Sequence, residues 1–179
     1  MKLFKLIIPL FVLSFLAFNG LASDDTKPPV QSPPGKADKA TKVEKIEWFA
    51  YDIGLKKAKK ENKHVFIDFT AKWCGYCKKM EREAFSDSNV IKILNNDFVA
   101  VKVDGDSKKM LDIDGYKITE KNLTRHDYGV RGYPTFWFLK SDGTKLTNLR
   151  GYRTTDFITG ALNYIKDYKY DSTRANTSE

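Results

Sequence analysis

Short runs of apolar residues alternate with polar stretches along the chain, and their lengths predict where strands form. The runs at 65–69 and 98–103 are mostly apolar and have the length and the β-branched or aromatic content of buried strands. A third strand is predicted from about Thr135, and a fourth at 145–150 follows a Ser-Asp-Gly turn at 141–143. Because this kind of turn joins antiparallel neighbours, the last two strands are expected to form a hairpin.

Other segments repeat their apolar residues at helical spacing, which predicts amphipathic helices. These helices are predicted at 46–61, 75–85, 119–128 and 155–168, with Thr154 or Thr155 as the candidate N-cap of the last one. Since a helix connects the strands at 65–69 and 98–103, these two strands are expected to be parallel. The pattern therefore predicts an α/β domain with a central mixed β-sheet flanked by helices and with an N-terminal helix extension.

The first 22 residues have the pattern of a secretory signal peptide. Lys2 and Lys5 precede an apolar run at 6–18, and the small residues Gly20 and Ala22 on either side of Leu21 form a cleavage site. The run is shorter than the roughly 20 residues that a membrane-spanning helix needs, so cleavage is favoured over a membrane anchor. The mature protein is therefore expected in the periplasm or secreted, without stable membrane insertion.

The remaining chain divides by composition into a linker, a domain and a tail. Residues 23–43 are polar and contain four prolines, so they are expected to be a flexible linker. Residues 44–170 have the size and apolar content of a single domain, and 171–179 are expected to be a disordered tail.

The chain is moderately basic, with a formal net charge of +8 that falls to +6 when the two lysines of the leader are removed. Its lysines are scattered among acidic residues, as on an ordinary solvated surface. This pattern favours a surface without nucleic-acid or membrane binding.

The most informative motif is Trp-Cys-Gly-Tyr-Cys at 73–77, which contains both cysteines of the chain, Cys74 and Cys77. The pair stands at the start of a predicted helix, where unpaired backbone N–H groups and the helix dipole favour a thiolate. A disulfide across so small a loop contributes only about 2 kcal/mol in the chain-entropy model. The motif therefore favours thiol-disulfide exchange over a purely structural bond.

Other uses of a Cys-x-x-Cys pair are less well supported. Covalent haem attachment requires a histidine directly after the second cysteine, where this chain has Lys78. A structural zinc ion needs four ligands, and His64 and His126 do not have a zinc-finger spacing. No metal or other cofactor is therefore expected, while an inert disulfide stays open as an alternative.

Three features, in their order along the chain, resemble the thioredoxin superfamily. Asp68 lies six residues before the first cysteine, the Trp-Cys-x-x-Cys run follows it, and Pro134 precedes the hairpin. The resemblance covers about 46–168 and is strongest to exported bacterial thioredoxin-like proteins. It implies a thioredoxin fold in which Pro134 is cis. It also implies that Cys74 is an exposed nucleophile and Cys77 a buried thiol that resolves the mixed disulfide.

Asp68 is the candidate proton acceptor for Cys77. An acid within an apolar strand is expected to have a pKa raised by desolvation, which suits proton transfer from a thiol. The alternative is a buried acid that only satisfies a hydrogen bond.

Four residues are candidate substrate-binding residues: Trp73 and Tyr76 within the motif, and Tyr133 and Pro134 just before the predicted hairpin. Each aromatic side chain could equally be ordinary core or rim, and Pro134 could be a simple turn proline. Both histidines are expected to have no catalytic role, with His64 on the surface.

Two departures from a reducing thioredoxin are visible. Tyr76 occupies the position that is typically proline, which resembles periplasmic disulfide isomerases, and the segment 105–126 is longer than in a minimal thioredoxin. The first departure leaves the redox potential open. The second indicates either a specificity loop or a decoration of the fold.

The leading functional hypothesis is a periplasmic thiol-disulfide reductase acting on disulfide- or thiol-containing proteins or on small sulfur carriers. Because its compartment is oxidising, such an enzyme needs an electron donor, which is expected in the membrane. The alternatives are a disulfide oxidase or isomerase, and a non-catalytic thioredoxin-fold binding module.

Overall fold

The structure is a computed structural model, and it describes residues 45–171. The predicted signal peptide, the predicted linker and all but the first residue of the predicted tail lie outside this range. Among residues 45–171, no helix has the length and the apolar character needed to cross a membrane.

A mixed five-stranded sheet forms the centre of the described domain, with the strand order β1-β3-β2-β6-β7. A separate two-stranded sheet pairs β4 with β5. The strands are β1 (Trp48–Phe49), β2 (His64–Thr70), β3 (Phe98–Asp104), β4 (Met110–Ile113), β5 (Tyr116–Thr119), β6 (Thr135–Leu139) and β7 (Lys145–Arg150). The helices are α1 (Tyr51–Glu61), α2 (Gly75–Arg82), α3 (Ser88–Asp97), α4 (Glu120–Asn122) and α5 (Thr155–Lys166).

Strand β2 is the middle of the sheet and is almost entirely buried. Ile67 pairs with Val101 of β3 in parallel register and with Trp137 of β6 in antiparallel register. Strands β6 and β7 are antiparallel, with an irregularity at Leu139. The predicted parallel pair and the predicted hairpin are therefore both confirmed.

Two apolar clusters cover the two faces of the sheet, because alternate residues of β2 point to opposite sides. Phe66 belongs to the cluster that includes Met80 of α2, Leu94 of α3 and Leu162 of α5. Ile67 belongs to the cluster that includes residues of α1 and of the β4–β5 hairpin. The clusters fix α2 against the sheet, and this packing positions the cysteine motif.

The first predicted helix begins later than expected, at Tyr51 rather than at residue 46. Trp48 and Phe49 instead form β1, which pairs in parallel with β3. The helix ends at Asn62, whose φ of 51° is in the left-handed region that terminates helices.

The second and third predicted helices are also shorter than expected. Helix α2 ends at Arg82, and a 3₁₀ turn follows at Ala84–Ser86. The segment predicted as a helix at 119–128 is the single turn α4 followed by a π-helical turn at Leu123–Asp127. The predicted N-cap of the last helix is confirmed as Thr154, whose hydroxyl accepts a hydrogen bond from the Phe157 N–H.

Besides β1, helix α3 and the β4–β5 hairpin were not predicted from the sequence. Helix α3 fills the interval between α2 and β3, and it begins where the Asp87 carboxylate accepts hydrogen bonds from the Asn89 and Val90 N–H groups. The β4–β5 hairpin lies in the middle of the long segment at 105–126. Its turn places Asp114 and Gly115 at positive φ values of 52° and 92°.

Candidate active site

The two cysteines lie at the start of helix α2, just after the carboxyl end of β2. Cys74 is the N-cap residue of α2, and its Sγ accepts a 3.0 Å hydrogen bond from the backbone N–H of Cys77. The two residues form a disulfide with a Cα–Cα distance of 5.3 Å. One sulfur therefore lies at the positive end of the helix, where a thiolate is stabilised when the bond is reduced.

Cys74 is buried, contrary to the expectation of an exposed nucleophile. Only 3% of its surface is exposed, compared with 5% for Cys77. Both sulfur-bearing residues form a small cluster with Ala71, and the ring of Tyr133 packs against it. The motif at 73–77 could not predict this packing, because Tyr133 lies in a loop about 60 residues further along the chain.

Asp68 lies inside the sheet on β2, with 2% of its surface exposed. Its Oδ2 is 3.7 Å from Lys102 Nζ, whereas its buried Oδ1 has no hydrogen-bond partner among the described residues. Burial raises the pKa of Asp68 to about 7, against the opposing positive charge of Lys102. The predicted direction of this pKa shift is confirmed.

The ammonium group of Lys102 also contacts the carboxylate of Glu81 on α2 and lies 4.2 Å from the centre of the Trp48 ring. Glu81 is one helical turn beyond Cys77, so both side chains project from the same side of α2. A cleft of about 410 Å³ is lined by residues that include Cys77, Glu81, Lys102, Asp104 and Glu120. This cleft gives water a route to the neighbourhood of the second cysteine.

Trp73 is 70% exposed and is held by a loop rather than by the core. Its Nε1 donates a 2.6 Å hydrogen bond to Asp106 Oδ2, and the other carboxylate oxygen of Asp106 lies 3.7 Å from an Arg125 guanidinium nitrogen. The Trp73 ring also makes an edge contact with Tyr133 at 5.9 Å between ring centres. The long segment thus contributes Asp106 and Arg125 to the surface beside the cysteines.

Tyr133 and Pro134 lie between this loop and the sheet. The peptide bond between them is cis, as the family resemblance implied. A side chain at Gly105 would overlap the Tyr133 hydroxyl, so glycine is required there for the tyrosine to occupy this place. The Pro134 carbonyl accepts a 2.8 Å hydrogen bond from the Gly151 N–H, which fixes the loop after β7 next to the proline.

Tyr76 is 64% exposed and contacts Tyr152, with 6.3 Å between ring centres. The Tyr152 hydroxyl donates a 2.5 Å hydrogen bond to Glu83 Oε2. Sequence reasoning did not identify Tyr152, Lys102 or Asp106 as site residues. Asp106 and Tyr152 follow predicted strands, where loops meet at one edge of the sheet, whereas Lys102 lies within the predicted strand at 98–103 and has no such signal.

Of the two histidines, one contradicts its prediction. His64 was expected on the surface, but it is 6% exposed and its Nε2 lies 2.7 Å from the Tyr170 hydroxyl. It is buried because the C-terminal end of the domain folds over the beginning of β2. His126 is exposed, and no cluster of metal-ligating side chains occurs within residues 45–171.

The sheet order, the disulfide at the start of α2 and the adjacent cis-proline together define a thioredoxin fold with a Cys-x-x-Cys centre. A family model described as a thioredoxin-like domain matches residues 51–166. The chain therefore belongs to the thioredoxin-like family.

Two relatives are thiol-disulfide proteins by name. A rabbit (Oryctolagus cuniculus) protein disulfide-isomerase is 34% identical over 83 residues, which cover 46% of this chain and 14% of the isomerase. The thiol:disulfide interchange protein DsbD of Colwellia psychrerythraea is 35% identical over 107 residues, which cover 60% of this chain and 16% of DsbD. The matches thus span about one sixth or less of these relatives.

Solved structures share the fold. A Thermus thermophilus thioredoxin has a TM-score of 0.56 at 27% identity, over 68% of this chain and 87% of the thioredoxin. A thioredoxin-fold protein from Helicobacter pylori has a TM-score of 0.59 at 21% identity, over 63% of this chain and 74% of that protein.

Proposed function

We propose that this chain is an exported thiol-disulfide oxidoreductase that reduces disulfides of proteins or of small sulfur carriers. The observation that carries the proposal is the Cys74–Cys77 disulfide at the start of α2, together with the buried carboxylic acid Asp68 on the preceding strand β2. The family match and the names of the relatives support this class of reaction.

The first step is nucleophilic attack by Cys74. In the reduced protein its sulfur lies at the N-cap of α2, where the Cys77 N–H and the helix dipole stabilise the thiolate. The thiolate attacks one sulfur of the substrate disulfide and forms a mixed disulfide, and the other substrate sulfur leaves as a thiolate. Only 3% of the surface of Cys74 is exposed in the disulfide-bonded structure, and Tyr133 packs against the cluster that contains it.

The second step is resolution by Cys77. Its thiol loses a proton to Asp68, directly or through a water molecule, because a carboxylate with a pKa of about 7 can accept a proton near neutral pH. The Cys77 thiolate attacks Cys74 Sγ, and the second substrate sulfur leaves. The substrate has gained two electrons and the enzyme disulfide has reformed.

Substrate contacts are assigned to Trp73, Tyr76, Tyr133 and Pro134. Two of these side chains, Trp73 and Tyr76, are more than 60% exposed next to the sulfurs. Exposed aromatic side chains provide large and rigid contact areas at protein interfaces. A disulfide-bearing polypeptide is therefore the favoured substrate class.

Export rests on the sequence of residues 1–22, which has the charge and apolar pattern of a cleaved signal peptide. In an oxidising compartment the reductase needs a donor of electrons, for which we propose a membrane protein. Isomerisation of protein disulfides is the second candidate function, and the rabbit protein disulfide-isomerase among the relatives favours it.

The test is to trap the mixed disulfide. Purified Cys77→Ser protein is mixed with a disulfide-bonded protein such as insulin, and the products are separated without reducing agent. We expect a covalent adduct through Cys74 in this variant. The matched Cys74→Ser variant should form less adduct by about tenfold or more, because only the sulfur of Cys74 lies at the N-cap of α2, where the thiolate is stabilised. Equal adducts in both variants, or none in either, would contradict the assigned roles.

A further inference from the structure

Tyr152, in the loop after β7, is held by three contacts with its surroundings. Its hydroxyl donates a 2.5 Å hydrogen bond to Glu83 Oε2, and Lys79 Nζ lies 4.3 Å from the centre of its ring. Its carbonyl accepts a 3.2 Å hydrogen bond from the Arg153 guanidinium. The contacts to its ring and hydroxyl, together with packing against the apolar cluster that contains Met80, restrain the ring before a substrate binds.

This fixed ring is next to the reactive centre. Tyr76, which stands between the two cysteines in α2, lies 6.3 Å from Tyr152 between ring centres. The preceding residue, Gly151, donates its N–H to the carbonyl of Pro134. Both tyrosine rings therefore lie near the cysteine motif and the cis-proline loop.

Lys79 and Glu83, two of the side chains that contact Tyr152, carry opposite charges. Lys79 and Glu83 are one helical turn apart on α2, with 3.9 Å between Lys79 Nζ and Glu83 Oε1. They support Tyr152 with opposite charges and leave the surface without a net charge from this pair. The contact area that the two tyrosines offer to a substrate is aromatic.

We propose that Tyr76 and Tyr152 form a specificity subsite that binds a large apolar or aromatic side chain adjacent to the reacting cysteine of the substrate. This inference rests on the proposed function, since it names the substrate feature that the same site selects. Glu83 and Lys79 act as positioning residues that hold Tyr152. Fixing the ring in advance lowers the entropy lost when the substrate binds.

The experiment compares two peptides that each contain one intramolecular disulfide and differ only at the residue after the attacked cysteine, phenylalanine in one and glycine in the other. The rate constant for reduction by the reduced protein is measured for both peptides and for a small aromatic disulfide, 5,5′-dithiobis(2-nitrobenzoic acid). We expect the phenylalanine peptide to react about tenfold faster, which corresponds to about 1.4 kcal/mol.

Variants of the protein test which residues cause the preference for the phenylalanine peptide. Tyr152→Ala should reduce the ratio of the two rate constants to about twofold or less. Glu83→Gln keeps the Tyr152 ring but weakens the hydrogen bond to its hydroxyl, so this variant should give an intermediate ratio. Tyr164→Ala is the matched control, because Tyr164 is also an exposed tyrosine but lies on α5. This control should keep the full preference.

The outcomes separate the two proposals. Equal rates for the two peptides in the wild-type protein, or a preference that survives in both Tyr152→Ala and Glu83→Gln, would overturn the subsite alone. A wild-type protein that reduces neither the peptides nor the small disulfide would overturn the proposed function, and the subsite with it.

Discussion

Lys102 Nζ lies 3.7 Å from Asp68 Oδ2 while it contacts the carboxylate of Glu81 directly. The lysine is therefore shared between two acids and does not fully compensate the burial of Asp68. Desolvation dominates, and the pKa of Asp68 is raised to about 7. A carboxyl group with this pKa can take up and release a proton near neutral pH.

The raised pKa predicts that the folded protein loses stability as the pH rises. Between about pH 3.8 and pH 7 the unfolded state has released the Asp68 proton while the folded state retains it. The free energy of unfolding should therefore fall by on the order of a few kcal/mol across this window. Asp68→Asn removes this dependence, so the variant should gain stability relative to wild type from pH 4 to pH 8, as measured by urea unfolding of the oxidised protein.

The matched control for this pH series is Asp114→Asn, since the Asp114 side chain is 87% exposed. Its difference from wild type should stay flat over the same range. Parallel pH profiles for Asp68→Asn and wild type would show that the Asp68 pKa is not raised.

Glu81 and Lys102 are predicted to shift the pKa of Asp68 in opposite directions. Glu81→Gln removes a negative charge and frees Lys102 for Asp68, so the pKa should fall. Lys102→Met removes the positive charge and keeps an apolar stem, so the pKa should rise. The pH titration of the Asp68 carboxyl carbon by NMR measures both shifts, and a shift of the same sign in both variants would refute the shared-lysine arrangement.

Much of the fold follows from local sequence patterns. The apolar runs of β2 and β3 and the Ser-Asp-Gly turn before β7 were sufficient to predict the parallel pair and the hairpin. The signals for α3 and for the β4–β5 hairpin were also present, in the Asp87 N-cap and in Asp114-Gly115. The hairpin has a weak apolar pattern because it buries only Leu111 and Ile118, whereas α3 buries four apolar residues that follow its N-cap.

Other features depend on contacts between distant residues. Strand β1 has two residues, too few for a recognisable pattern, and forms only because β3 offers a free edge. The burial of His64 depends on Tyr170, 106 positions away. The packing against the cysteine cluster involves Tyr133, about 60 residues away. Local periodicity contains no information about such contacts, so the motif predicted the chemistry of the site but not its access.

Asp106 is predicted to orient Trp73. Asp106→Ala removes the 2.6 Å acceptor of the indole N–H, and a hydrogen bond to a charged group contributes about 1.5–3 kcal/mol when it is not exposed to water. Since this site is exposed, we expect a smaller effect, about three- to tenfold slower reduction of a protein disulfide. The indole ¹⁵N–¹H resonance of Trp73 should move in the same variant.

The control for Trp73 is Arg125→Gln. The Arg125–Asp106 pair is exposed and 3.7 Å apart, so it contributes little and the variant should react within about twofold of wild type. An Asp106→Ala protein with an unchanged indole resonance and an unchanged rate would contradict the orienting role.

Gly105 is predicted to be essential for the place of Tyr133. Gly105→Ala puts a methyl group into the Tyr133 hydroxyl, and overpacking of this kind costs about 1–3 kcal/mol of unfolding free energy. Gly160→Ala is the matched control, because a Cβ there meets nothing and alanine is the better helix former in α5. Urea unfolding should show a loss in the first variant and no loss in the second, and equal stabilities would contradict the close packing.

The most direct test of the central claim is the reduction potential of the Cys74–Cys77 pair, measured by equilibration in glutathione and dithiothreitol buffers. A donor-fed reductase predicts a value near that of reducing thioredoxins, about −270 mV. A value near about −120 mV would contradict the reducing direction and indicate an oxidant of protein thiols. A value well below about −300 mV would contradict exchange altogether, since structural disulfides have potentials in that range.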